Sequence, residues 1–363
     1  MTNLRRWIGS GLETGGIVSL AVGLLMIPGT THQKEVAGIP TRFQDWCEQQ
    51  ESLSTAAKRT VSVLYEATGA ESCEQAEAIL LEQTQINLER AGLSDLRPLA
   101  SLPQITWLAL SVNEISDLGP LSQLTKLESL FLDSNQIRDL EPLAQLRSLK
   151  TLSLYDNQIS NLQPLAQLNQ LQTLSLYNNQ ISDIGPLGQL QTLQTLSLMN
   201  NEISDIRPLA ALTELKWLSL GANQIQDLGP LSGLKNLVWL ALFQNQITDI
   251  TPIATLPNLQ MLSLGNNQIQ DVAALSSHPT LQELLLFNNR ISDASPLQTL
   301  TQLNWLDLYN NQVSNVQTLA TLDKLRWLDL RGNPLRDRTC PVTPADICRF
   351  SEFEKDASTA IVF

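Results

Sequence analysis

The sequence predicts an α/β solenoid, a stack of strand-and-turn units with a small helical cap at its N-terminal end. Two observations carry this. First, an asparagine recurs every 22 residues without a slip, at Asn113, Asn135, Asn157, Asn179, Asn201, Asn223, Asn245, Asn267, Asn289, Asn311 and Asn333. Second, each is preceded by a leucine ladder, as in Leu149, Leu152 and Leu154 before Asn157. A fixed period in this range marks supersecondary units that cannot bury their apolar side alone and so must stack.

Taken in chain order, Arg5 and Arg6 precede an apolar run from Gly15 to Ile27, closed by Pro28 and Gly29. A basic start followed by about a dozen apolar residues reads as a secretory signal peptide or an N-terminal anchor over 1–29. Residues 30–39 read as a linker. Over 40–85, Phe43, Trp46, Cys47, Val61, Leu64, Tyr65, Cys73, Ala76, Ile79 and Leu80 recur at helical spacing, broken at Ser52-Leu53-Ser54 and Gly69-Ala70. Two or three short helices are expected there, covering the raw apolar edge that the first repeat of any solenoid presents.

Residues 86–335 hold about twelve repeats, counting a degenerate first one at Ile86 and Leu88. In each, the L-x-L pair has period two, so its leucines share one face of a strand and the residue between them faces away. Proline at Pro120, Pro142, Pro164, Pro186, Pro208, Pro230, Pro252 and Pro296 suits the first position of a short helical turn, because its backbone angle is preset and it has no amide hydrogen. With strands about 4.8 Å apart, twelve units make a sheet of roughly 55 Å. The consensus L-x-x-L-x-L-x-x-N-x-I-x-D-L-x-P-L-x-x-L resembles the leucine-rich repeat, in the 22-residue form of the internalin-like bacterial class. That resemblance implies a horseshoe with a parallel sheet on its concave side and turns or 3-10 segments on its convex side. It implies no chemistry.

The four cysteines lie outside the repeats, Cys47 and Cys73 before them and Cys340 and Cys348 in the C-terminal cap and tail, 336–363. Two local disulfides are expected, in an oxidising compartment; cross-pairing would span the length of the array, and four thiols split between its ends cannot share one zinc. The formal charge of −13 argues against nucleic acid, whose phosphates need clustered Lys and Arg.

Sorting residues by column separates scaffold from candidate site. The asparagines are expected to satisfy backbone groups at the turn out of each strand. Four residues on, Asp117, Asp139, Asn161, Asp183, Asp205, Asp227, Asp249, Asp271, Asp293, Asn315 and Asp337 interchange Asp with Asn, as local turn formers do, and are not read as calcium ligands. At Asp271–Pro279, Ala274 replaces the usual proline and His278 a core leucine, read as a tolerated substitution. The columns facing away from the leucines are different. Five of the seven tryptophans share one of them, at Trp107, Trp217, Trp239, Trp305 and Trp327, with Met261 and Glu283 among the other occupants. Tyr155, Tyr177, Met199, Phe243, Phe287 and Tyr309 stand in another, and a mostly small, Ser-rich column runs between them. Exposed aromatics not needed for the core mark an interaction surface, so the ligand-binding residues expected here are Tyr155, Tyr177, Trp217, Trp239, Phe243, Phe287, Trp305, Tyr309 and Trp327, with the hot spot between residues 217 and 327.

No Ser-His-Asp or Cys-His arrangement, phosphate loop or metal constellation is present, so neither an enzyme nor a cofactor is expected. The leading expectation is a secreted, periplasmic or envelope-associated bacterial protein that binds a protein partner through the aromatic face, with membrane contact only through an uncleaved N-terminal segment. A glycan or cell-wall ligand on the same face is the alternative, and a cytosolic scaffold regulating an enzyme is a further one.

Overall fold

The repeat period builds one open parallel sheet, each strand pairing with the equivalent residues of the next repeat. A computed structural model describes residues 40–351; the leader, the linker and the tail from 352 onward lie outside the described residues. Three helices come first: α1 (Phe43–Glu48), α2 (Thr55–Thr68) and α3 (Cys73–Glu82). Three-residue strands follow: β1 (Gln85–Asn87), β2 (Trp107–Ala109), β3 (Ser129–Phe131), β4 (Thr151–Ser153), β5 (Thr173–Ser175), β6 (Thr195–Ser197) and β7 (Trp217–Ser219). The sheet continues through β8 (Trp239–Ala241), β9 (Met261–Ser263), β10 (Glu283–Leu285), β11 (Trp305–Asp307) and β12 (Trp327–Asp329). It ends on β13 (Cys348–Arg349), and all thirteen lie in sequence order.

The caps are built as their sequences require. Ser54 and Ser72 accept the Ala57 and Gln75 amides at the starts of α2 and α3, at 3.2 Å each. Phe43, Trp46, Val61, Leu64, Ala76 and Leu80 are buried against the first repeat. Buried Thr60 donates its hydroxyl to the Asp95 carbonyl at 2.6 Å, joining cap to array. Disulfides close Cys47 to Cys73 and Cys340 to Cys348, with Cα separations of 5.7 and 5.8 Å. The closing loop between the second pair departs from expectation by also supplying β13, whose Cys348 and Arg349 pair with Leu328 and Asp329. The free edge of β12 is thereby covered by backbone rather than left to water.

On the side away from the strands, each repeat makes one five-residue 3-10 turn, such as Gly119–Gln123, with proline at its start. Where Ala274 or Thr318 replaces the proline, the turn persists, because it is held by the leucine behind it. Within the Asp/Asn column, Asp117 shows the common pattern: its Oδ1 accepts the Gly119 amide at 2.8 Å, a local turn. His278 is fully buried, and its Nε2 sits 3.0 Å from the Ile253 carbonyl of the preceding repeat, so a polar ring fills a leucine site without an orphaned polar atom.

The asparagine column holds successive coils in register. Asn157 donates through Nδ2 to the Leu154 and Leu132 carbonyls at 3.1 and 3.0 Å, and its Oδ1 accepts the Ile137 amide at 3.0 Å. Each amide thus satisfies backbone groups on two coils where neither strand nor turn can. The residue just before each asparagine takes a left-handed conformation, with φ between 51° at Asn310 and 61° at Val112 for the ten that are not glycine and 71° at Gly332. Asparagine tolerates that region and occupies it at Asn178, Asn200, Asn266, Asn288 and Asn310; a β-branched valine does not.

Two outcomes follow. Asn157→Ala leaves buried backbone groups on two coils unpaired and is expected to lower stability by about 2–4 kcal/mol in urea titration. Val112→Asn relieves backbone strain at an exposed site and is expected to raise it by roughly 1 kcal/mol in the same measurement.

Candidate functional site

Because the strands are parallel and in register, equivalent residues stand one strand spacing apart, and large rings have little choice but to stack along the array. Trp217 faces Trp239 across β7 and β8, with ring centroids 5.5 Å apart and planes 19° from parallel. Trp305 faces Trp327 at 4.8 Å and 12°. Tyr155 and Tyr177 stack at 6.0 Å, and Trp107 lies tilted against Phe131 at 5.5 Å. The aromatic columns thus resolve into separate clusters along the sheet.

Their exposure is also uneven. Trp217 is 50% exposed and Tyr155 36%, whereas Met261 is only 6% exposed and the other aromatics of the expected site are half-buried. Phe243 and Phe287 lie flat over Gly221 and Gly265, the equivalent residues of the preceding repeats, where a Cβ would overlap the ring. The alternation Gly221, Phe243, Gly265, Phe287 was the sequence signal for this: glycine leaves a bare patch of sheet, and the next aromatic lies down on it.

The structure gathers part of the expected site around one open groove of about 630 Å³ on the face turned away from the leucine core. Tyr177, Trp217 and Trp239 line it, together with Met199, Met261, Gln260, Gln282 and Glu283. Ser197 and Ser219 of the small column are also among the lining residues. The groove thus begins nearer the N-terminus than the expected hot spot. Phe243, Phe287, Trp305, Tyr309 and Trp327 are not part of its lining. Column reading grouped residues by type, and so missed that small residues at Thr195 and Ser197 open the space beside Trp217.

A second, polar cluster stands at the C-terminal end of the same face. Asp307 and Asp329 are cross-strand neighbours. Asp329 is buried and paired with Arg331 at 2.6 Å. Among the described residues Asp307 accepts only the Tyr309 amide, at 2.9 Å. Burial pushes the Asp307 carboxyl up to about 6, and the Asp329 charge acts in the same direction while Arg331 opposes it. Asp133, buried near the other end, is likewise raised by burial, against hydrogen bonds from Ser153, Tyr155 and Ser111. Guanidinium groups complete the C-terminal cluster: Arg349 lies 4.9 Å from the Trp327 ring centre and Arg331 5.4 Å from that of Tyr309. Arg349 reaches Trp327 because β13 joins the sheet.

Folded Asp307 holds its proton to about pH 6, whereas an unfolded aspartate releases it near 3.9, so the folded state binds the extra proton between these values. The associated stability is complete below about pH 4 and is lost as pH rises through 6, amounting to roughly 2–3 kcal/mol. Urea midpoints at pH 4.5 and 7.5 measure it, and Asp307→Asn is expected to flatten the difference.

Comparison with known proteins places this geometry. The family described as Leucine Rich repeats (2 copies) matches residues 103–145, 147–189, 191–233, 235–277 and 279–321. Among solved structures, an internalin (InlF) of Listeria monocytogenes is 33% identical with a TM-score of 0.74, over 76% of this chain and 82% of that one. A leucine-rich repeat protein of Leptospira interrogans is 25% identical with a TM-score of 0.60, over 72% and 81%. The ectodomain of a plant membrane receptor kinase of Arabidopsis thaliana, solved in complex with Casparian strip integrity factor 2, is 26% identical with a TM-score of 0.57, over 67% of this chain and 34% of that one. A sequence comparison with curated proteins finds no match.

Proposed function

Because the chain belongs to the leucine-rich repeat family, in its internalin-like class, we propose that it is a non-enzymatic binding protein that takes a protein partner on its concave aromatic face. The observation that carries this reading is the half-exposed Trp217, stacked on Trp239 at the wall of an open groove. A large ring left half in water adds nothing to the leucine core, and aromatic anchors beside a groove dominate the energetics of protein recognition. The plant receptor ectodomain, solved with its factor bound, supports a protein ligand for this architecture.

Two disulfides support an exported location, secreted or at the cell envelope, since such bonds persist in oxidising compartments. They weigh against the cytosolic scaffold. Among the described residues no helix is long and apolar enough to cross a membrane. A glycan remains the second reading, favoured by the Trp217 ring and the Gln260 and Gln282 amides lining the same groove.

Affinity capture from envelope and medium fractions, with the native chain and with Trp217→Ala/Trp239→Ala, tests the reading alongside a glycan array. The double variant is expected to keep its melting temperature within a few degrees and to lose captured protein at least tenfold, since one hot-spot ring contributes about 2 kcal/mol or more. Undiminished capture by the variant sinks the concave-face assignment. Retention of glycans alone replaces the protein ligand by a sugar.

A further inference from the structure

Glu283 stands apart from the other carboxylates of the concave strands. Asp133 has three hydrogen-bond donors, Asp307 accepts the Tyr309 amide and Asp329 is paired with Arg331. Glu283 is half-buried in the groove lining, between Met261 and Trp305 in register, and its carboxylate makes no hydrogen bond or ion pair among the described residues. A carboxylate partly withdrawn from water without a donor is unfavourable. Among the described residues no Lys or Arg lines the groove to relieve it.

The wall of the groove has the complementary feature. Trp217 is stacked on one side by Trp239, and on the other its neighbour in register is Thr195, too small to cover an indole. The electron-rich face of tryptophan attracts cations. Farther along the same sheet the chain supplies such cations itself, with Arg349 on Trp327 at 4.9 Å and Arg331 on Tyr309 at 5.4 Å. Two strand spacings, roughly 10 Å, separate the backbone at Trp239 from that at Glu283, a span that an extended basic side chain and the glutamate bridge between them.

We propose that the groove receives a lysine or arginine side chain of the protein partner, its aliphatic stem along Trp239 and Met261 and its cation held by Glu283. The proposal rests on the concave face being a protein-binding surface. Stem and head match the two halves of the site: apolar and aromatic walls for the methylenes, and a charge-assisted bond for the cation. The net charge of −13 steers a basic segment toward the array and disfavours an acidic one.

The test uses the full chain and acetyl-Gly-Gly-X-Gly-Gly-amide peptides with X as arginine, lysine, norleucine or glutamate, titrated by calorimetry. Arginine and lysine peptides are expected to bind at least about tenfold more tightly than norleucine, and the margin to shrink as salt is raised. Glu283→Gln is expected to abolish the margin while leaving norleucine affinity and the melting temperature unchanged. Equal affinity for arginine and norleucine, an unaltered margin in Glu283→Gln, or no saturable binding of either basic peptide up to about 10 mM overturns the proposal. Binding indifferent to X yet lost in Trp217→Ala overturns only the basic side chain. Partner capture untouched by Trp217→Ala/Trp239→Ala overturns the underlying reading instead.

Discussion

The buried asparagine amide sets the spacing on which everything else in the array depends. Every coil leaves backbone groups stranded where the chain turns out of its strand, and the amide of Asn157 reaches both its own coil and the one before. The same three-way bridge recurs at Asn223, Asn245 and Asn311, among others. A shift of one residue would break it, so the period is enforced coil by coil. The leucines supply most of the apolar burial, but they would tolerate small slips that a hydrogen-bonded amide does not.

An enforced register has a consequence on the opposite face. Side chains at equivalent positions stand a strand spacing apart whether or not they attract, so large residues there must stack, lie down or be spaced by small ones. All three solutions occur. Trp305 and Trp327 stack and are closed by Arg349; Phe243 lies down on Gly221; Trp217 has Thr195 beside it and is left half in water. The third borders the open groove. The groove is thus a by-product of register combined with the small residues Thr195 and Ser197 on β6.

Much of this was legible in the chain. The leucine spacing placed the buried face of each strand, the prolines placed the convex turns, and the cysteines outside the repeats marked the two caps. The alternation of Gly221 and Gly265 with Phe243 and Phe287 was also visible, although its meaning depends on which residues are neighbours across the sheet. Arg349 was not legible as a partner of Trp327, because Cys348–Arg349 falls outside the period and joins the sheet only through backbone pairing with Leu328 and Asp329. Nor was the protonation of Asp307, which depends on burial and on Asp329 beside it.

By itself, then, the sequence determined the fold, the register and the list of side chains that the core does not need, since all three follow from a period that local geometry reads directly. Which of those side chains remain accessible was decided by tertiary structure alone. Exposure of Trp217, the covering of Trp327 and the lack of a partner for the Glu283 carboxylate among the described residues are properties of neighbours brought together across strands 22 residues apart or more, and no residue carries its neighbours' size and charge in its own identity.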